Sequence, residues 1–242
     1  MKNTRIYHDK PISNQQTIQL SEQASRHLVS VLRATIGDEI ILFDGSGTDY
    51  SAKISTISKK QVELCISDSV YADNESPLRI SLFQAVSKGD RMDYAIQKSV
   101  ELGVSEITPV ISERTVVRID DKRESKKIEH WKNIIISACE QSGRSVIPRL
   151  NPMIAFSELI KSIDTSSSYI LSPYGEVKIS SLAKNSRHFQ ILVGPEGGFS
   201  ESEISQAKMK SIIELCIGKR VLRTETAPVA VLAALQTIAG DF

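Results

Sequence analysis

The chain has 242 residues, 40% hydrophobic and 24% charged, with a net charge of +1. That length holds one large domain or two small ones with a real core, and the balance excludes both extended disorder and a uniformly basic nucleic-acid binder. The longest apolar-rich stretch, residues 227–239, is too short to span a bilayer, and the N-terminal residues show no apolar signal segment, so a cytoplasmic protein without a membrane partner is expected.

The first seventy residues read as short strands around one helix. Ser21 caps a predicted helix with Ala24, Leu28, Val31 and Leu32 on one face, closed by Gly37. Residues 39–43 form a predicted strand, and Asp44-Gly-Ser-Gly47 has the residue chemistry of a hairpin turn. Tyr50, Ala52 and Ile54, then Val62, Leu64 and Ile66, alternate with polar residues as half-buried strands do. The polar, proline-containing segment 71–77 follows as a linker, which divides the chain into domains 1–72 and 73–242.

Beyond the linker the rhythm changes. Residues 78–86 form an apolar strand, and 89–102 have helical spacing through Met92, Ile96 and Val100. A strand at 107–111 precedes a helix over 126–142 with Ile128, Trp131, Ile135 and Ala138 inward. Strands at 168–171, 190–193 and 212–217 are interleaved with helices at 155–162, 200–209 and 228–239. Such alternation predicts an α/β domain with a parallel sheet, whose ligands bind beyond the carboxyl ends of the strands.

Charge is unevenly spread. Residues 1–75 carry eight Lys/Arg against ten Asp/Glu, whereas 114–149 carry nine against five, a local basic surface able to face RNA phosphates or simply water. Three cysteines and four histidines are scattered with no CxxC or HExxH spacing, so neither a disulfide framework nor a metal site is expected.

Two C-terminal segments carry the chemistry. Val193-Gly-Pro-Glu-Gly-Gly-Phe199 follows a buried strand and precedes a helix with Ser200 at its cap and Glu203 three residues on, the pattern of a capping box. Its glycines let a ligand approach the backbone and expose N–H donors, although a structural turn is the competing reading. Ile217-Gly-Lys-Arg-Val-Leu-Arg-Thr-Glu-Thr-Ala227 repeats the arrangement at the same sheet edge, where a basic surface connection would look alike. A Walker A motif and a Rossmann fingerprint are both missing. Glu140, Gln141 and Arg144 read as a solvated helix end, and Lys98 and Glu101 as an exposed i,i+3 pair.

Together these segments resemble the uracil-N3 methyltransferases of small-subunit ribosomal RNA, the RsmE type of the SPOUT class. The resemblance runs through Arg5-Ile-Tyr7, His27-Leu-Val-Ser-Val-Leu-Arg33, Gly37-Asp38, Asp44-Gly-Ser-Gly47 and Lys88. It continues through Gln97-Lys-Ser-Val-Glu-Leu-Gly103, Ile107-Thr-Pro109, Glu140-Gln-Ser-Gly-Arg144 and Pro148, and is sharpest at Val193–Phe199 and Leu222–Ala227. It implies a small N-terminal PUA-like β-barrel that binds RNA and a C-terminal SPOUT α/β trefoil-knot domain. It also implies a homodimer, S-adenosyl-L-methionine bound in the knot, and 16S rRNA within the small ribosomal subunit as substrate.

On that resemblance Gly194, Glu196, Gly197, Gly198, Ile217, Gly218 and Leu222 form the donor pocket, with Leu171 and Ser172 at its rim. Arg223 and Glu225 are the expected catalytic residues, the first steadying uracil oxygens or a phosphate and the second accepting the proton. Arg5, Arg33, Lys88 and Arg144 are the expected substrate contacts. Two other readings remain: a SPOUT enzyme acting on a tRNA base or ribose 2′-hydroxyl, and a non-catalytic RNA-binding assembly protein.

Overall fold

The computed structural model describes residues 4–14, 16–58, 61–116, 121–182 and 184–242. The chain forms two compact units, Met1–Glu75 with Cys139–Ile147, and Ser76–Ala138 with Pro148–Phe242. A division into contiguous segments does not contain the excursion of 139–147 into the first unit.

The first unit holds β1 (Thr4–Tyr7), β2 (Thr17–Gln19), α1 (Glu22–Arg26), β3 (Glu39–Phe43), β4 (Thr48–Ile57) and β5 (Val62–Tyr71). Its five-stranded sheet runs β1-β3-β4-β5-β2, with β1 parallel to β3 and the other neighbours antiparallel. Two register shifts in the long β4–β5 hairpin bend it around the core, as bulges do. The expected alternation is present: Tyr50, Ala52, Ile54, Val62, Leu64 and Ile66 are all buried, against Ile6 and Leu42. Asp44 closes the β3–β4 turn by accepting from the Ser46 amide at 3.0 Å.

The helix departs from expectation. Ser21 accepts from the Ala24 amide as its cap (3.2 Å), but after Arg26 the chain widens into a π-type turn over His27–Val31. The wider turn rotates later side chains off the core face, so Leu28 is fully buried while Val31 and Leu32 are exposed. Gly37 lies beyond the helix and donates its amide to Ile54 instead.

The second unit begins with β6 (Arg79–Ala85), α2 (Asp90–Glu101), β7 (Glu106–Ile111) and α3 (Asp121–Ser142), whose last turn joins the first unit. There follow β8 (Arg149–Leu150), β9 (Ile154–Ala155), α4 (Phe156–Ser162), β10 (Ser168–Leu171), β11 (Val177–Lys178), β12 (His188–Val193), α5 (Glu201–Met209), β13 (Ile213–Cys216) and α6 (Thr226–Ala239). The eight strands form one sheet, β11-β13-β10-β12-β6-β7-β8 with β9 beside β7, and every pair is parallel. Helices α4 and α5 cover the face bearing Val110, Ile170 and Leu192. Residues of the opposite parity, such as Leu82 and Gln84, point to the other side, where α6 packs on β6 and α2 on α6. The expected parallel α/β sheet is therefore present, and Trp131, Ile135 and Ala138 of α3 are buried as their spacing implied, with Ile128 only half-buried. Among the described residues no helix is long and apolar enough to cross a membrane.

Candidate active site

Beyond the carboxyl ends of β10, β12 and β13, three loops enclose one cleft of about 620 Å³, part of it open to solvent. The first wall is the turn after β12. Pro195 cannot donate to a ladder, and the Gly198 amide returns to the Pro195 carbonyl at 2.9 Å, so the strand must stop. Gly194 is required by packing, because a Cβ there would lie 3.0 Å from the Phe199 nitrogen. Gly198 is required by conformation: its φ is +68°, and a Cβ built on it would meet no protein atom within 4 Å, only open space. The expected capping box anchors the exit of this turn. Ser200 Oγ accepts from the Glu203 amide, Glu203 Oε2 accepts from the Ser200 amide, and Oε1 accepts from the Glu113 amide beyond β7.

The second wall runs from Ile217 to Thr224 and the third from Leu171 to Pro173. Eight of the nine residues expected to hold the donor line this one cleft: Leu171, Ser172, Gly194, Glu196, Gly198, Ile217, Gly218 and Leu222. Gly197 is not among the lining residues. Its carbonyl accepts from Arg114 Nη1 at 2.7 Å, and a Cβ there would touch only that arginine's side chain. Thr224 and Ala227 also line the cleft; both lie in the second quoted segment but were not singled out by residue type.

A chain of charges borders the site. Glu196 accepts from the Lys88 amide (3.1 Å) and from Arg91 Nη1 (2.8 Å). Partial burial alone would raise its carboxyl pKa, but these donors, its own amide and the Arg91 charge outweigh burial and hold it below the usual carboxylate range. Arg91 Nε lies 4.0 Å from Glu225 Oε2, and Arg223 Nη1 lies 4.0 Å from Glu225 Oε1. Arg223 and Glu225 therefore stand beside the cleft rather than in its wall, Arg223 with a 78% exposed side chain. Glu225 Oε2 is buried and has no hydrogen-bond partner among the described residues. Arg91 was missed by the sequence reading; the available signal was its position in the first turn after a strand that ends at the ligand edge.

The four expected substrate residues divide sharply. Arg33 and Lys88 present exposed side chains. Arg5 and Arg144 do not. Arg5 is 8% exposed, paired with both Asp49 oxygens at 2.6 and 2.7 Å and with Ser145 Oγ at 2.6 Å. Arg144 is 6% exposed and paired with Glu75 at 2.5 and 2.9 Å. Both guanidiniums are held by internal partners of the first unit, not offered to an RNA surface. Glu140, read as part of a solvated helix end, instead accepts from the Tyr7 amide of β1 at 3.0 Å. Lys98 and Glu101 do form the expected pair, at 2.7 Å. Of the basic stretch, Arg114, Lys126, Lys132 and Arg149 are exposed, and Arg118 lies outside the described residues.

A ribosomal RNA small subunit methyltransferase E from Buchnera aphidicola of Acyrthosiphon pisum is 35% identical over 98% of this chain and 94% of that protein. This chain belongs to the ribosomal RNA small subunit methyltransferase E family. The family's Bacillus subtilis member is 31% identical over 90% of this chain and 89% of its own. A family model described as an RNA methyltransferase domain matches residues 74–236, and one described as an RNA methyltransferase PUA domain matches residues 20–66. Among solved structures, the small subunit methyltransferase E of Neisseria gonorrhoeae bound to S-adenosyl methionine shares 42% identity and a TM-score of 0.92 over 99% of both chains. A methyltransferase from Legionella pneumophila, in complex with the bound cofactor SAM, shares 39% identity and a TM-score of 0.97 over the full length of both. The fold class is accordingly that of this methyltransferase E family, a SPOUT α/β trefoil-knot domain with a smaller PUA-like domain before it.

Proposed function

We propose that this chain uses S-adenosyl-L-methionine to methylate N3 of a uridine in 16S rRNA, in the cytoplasm, as a homodimer acting on the small ribosomal subunit. Residues 1–72, completed by 139–147, serve RNA binding, and the remainder of 73–242 the transfer. The cleft is the observation that carries this reading. Leu171, Ile217 and Leu222 offer apolar walls to a flat purine, while Gly198 and Gly218 leave backbone and open space for a chain that lies close.

When bound, the donor supplies a methyl group already activated by its sulfonium. What remains for the protein is to align N3 and to stabilise negative charge as the imide loses its proton. The N3–H lies on the Watson–Crick edge, so the target base enters unpaired or flipped out. Glu225 is the assigned proton acceptor, since its buried Oε2 lacks a donor within the described residues. Arg223, exposed beside it, is assigned to the uracil oxygens or a neighbouring phosphate, and Arg33 and Lys88 to phosphates. Arg5 and Arg144 support the RNA-binding unit from within.

Primer extension tests the assignment directly, because N3-methyluridine blocks pairing. In a bacterial strain lacking its own enzyme, expression of this chain should restore one stop on 16S rRNA. Glu225→Gln should weaken that stop by about 100-fold in rate and Arg223→Ala by about tenfold or more. A stop elsewhere in the RNA pool, or none, would sink the target, and full turnover of Glu225→Gln would remove the base.

The homodimer is favoured by α6, where Val229, Ala230, Ala233, Ala234 and Ile238 are small or apolar and only half-buried. Sedimentation at micromolar concentration should give a mass of two chains. A monomer there would end this part of the proposal.

A further inference from the structure

Gln84 sits at the carboxyl end of the central strand β6, in register with Val193 on one side and Pro109 on the other. Its side chain is fully buried. The amide orientation is set by the Ala85 carbonyl, which can only accept and lies 3.2 Å from Gln84 Nε2. The same nitrogen lies 3.2 Å from Thr224 Oγ1, and Thr224 Oγ1 lies 2.8 Å from the Gly194 carbonyl. A hydroxyl has one proton, and the Gly194 oxygen requires it. Thr224 must therefore accept from Gln84 and donate to Gly194, so the direction of the whole relay is fixed.

The relay joins the two longest walls of the cleft at their base, since Thr224 belongs to one and Gly194 to the other. Gln84 Oε1 is meanwhile buried without a hydrogen-bond partner among the described residues. An apolar residue of similar size would avoid that cost, so packing alone does not account for an amide here. We infer that Gln84 is a positioning residue that sets the separation of the two donor-binding loops by orienting the Thr224 hydroxyl toward Gly194. The inference rests on the donor reading of the cleft given above.

The test uses the full chain and S-adenosylhomocysteine titrated by calorimetry, with donor kinetics on small ribosomal subunits. Gln84→Met keeps the volume and removes the donor. It should weaken binding roughly tenfold, raise the donor KM in parallel and lower kcat less than kcat/KM. Because both residues act through one contact, Gln84→Met added to Thr224→Val should cost little beyond Thr224→Val alone. Wild-type affinity for Gln84→Met, or additive losses in the double variant, would overturn the inference. If Gln84→Met does not fold, Thr224→Ser and Thr224→Val decide. Serine keeps the hydroxyl and should stay nearer the unmodified protein, whereas equal losses would overturn the relay. Absence of binding by the unmodified chain would overturn the donor reading itself, a result distinct from any of these.

Discussion

Gly198→Val should lower the affinity for S-adenosylhomocysteine by at least about 100-fold, while Gly197→Ala stays within about threefold of the unmodified chain. The two glycines are adjacent and chemically identical, so the contrast joins the side chain introduced to the geometry of the position that receives it. At Gly198 the backbone has φ +68°, a region that a β-branched residue enters only with strain on the order of 1–3 kcal/mol. The added isopropyl group would also project into open space at a position that lines the cleft. Strain moves the loop, and bulk occupies the room the ligand needs. At Gly197 a methyl group would meet only the Arg114 side chain, Cδ at 3.4 Å and Cβ at 3.7 Å, which is ordinary van der Waals contact, and the residue is not among those lining the cleft. Calorimetric titration of both variants checks this. Comparable losses, or the greater loss at Gly197, would show that the cleft is not where the donor binds.

Arg5→Ala should destabilise the protein by about 3–5 kcal/mol, the loss typical of breaking a buried ion pair from one side. The substitution leaves the Asp49 carboxylate to the Ser145 hydroxyl without its charged partner, and removes the cation stacked 5.2 Å from the Phe43 ring centroid. Burial alone would raise the Asp49 pKa, but hydrogen bonds from Arg5 and Ser145 and the Arg5 charge outweigh it and depress the carboxyl. A depressed carboxyl stabilises the fold above its unfolded value of about 3.9, and that contribution is lost as pH falls through the lower folded value. The unmodified chain should therefore lose stability below about pH 4, and Arg5→Ala should show a shallower acid limb from a lower plateau. Urea denaturation across pH measures both. Unchanged stability with a selective loss of RNA binding would instead make Arg5 a substrate contact.

These two cases mark where local pattern suffices and where it fails. The Ser200–Glu203 capping box was legible because its partners lie three residues apart, and the strands flanking the cleft because their apolar runs are continuous. Two-residue strands such as β8, β9 and β11 offer no period to detect. Four glycine or proline positions in seven residues announced a special turn, but only the backbone angle separates Gly198 from Gly197. An arginine in sequence looks the same whether it faces RNA or a carboxylate. Arg5 finds Asp49 44 positions away, and Arg91 finds Glu196 105 positions away. Nothing local encodes either meeting. The widened turn after Arg26 is similarly invisible, because a helical stripe assumes 3.6 residues per turn throughout.

Residues 139–147 also bear on how the protein is made. The first unit is N-terminal, yet Glu75 and Asp49 find their partners Arg144 and Ser145 only after about 70 further residues have left the ribosome. At about 5–20 residues per second that interval lasts on the order of several seconds. The first unit is thus begun early but completed only midway through translation, and a fragment cut at the linker would carry Glu75 without Arg144 and Asp49 without Ser145. Supplying 139–147 as a fused or added peptide is the way to obtain that unit alone.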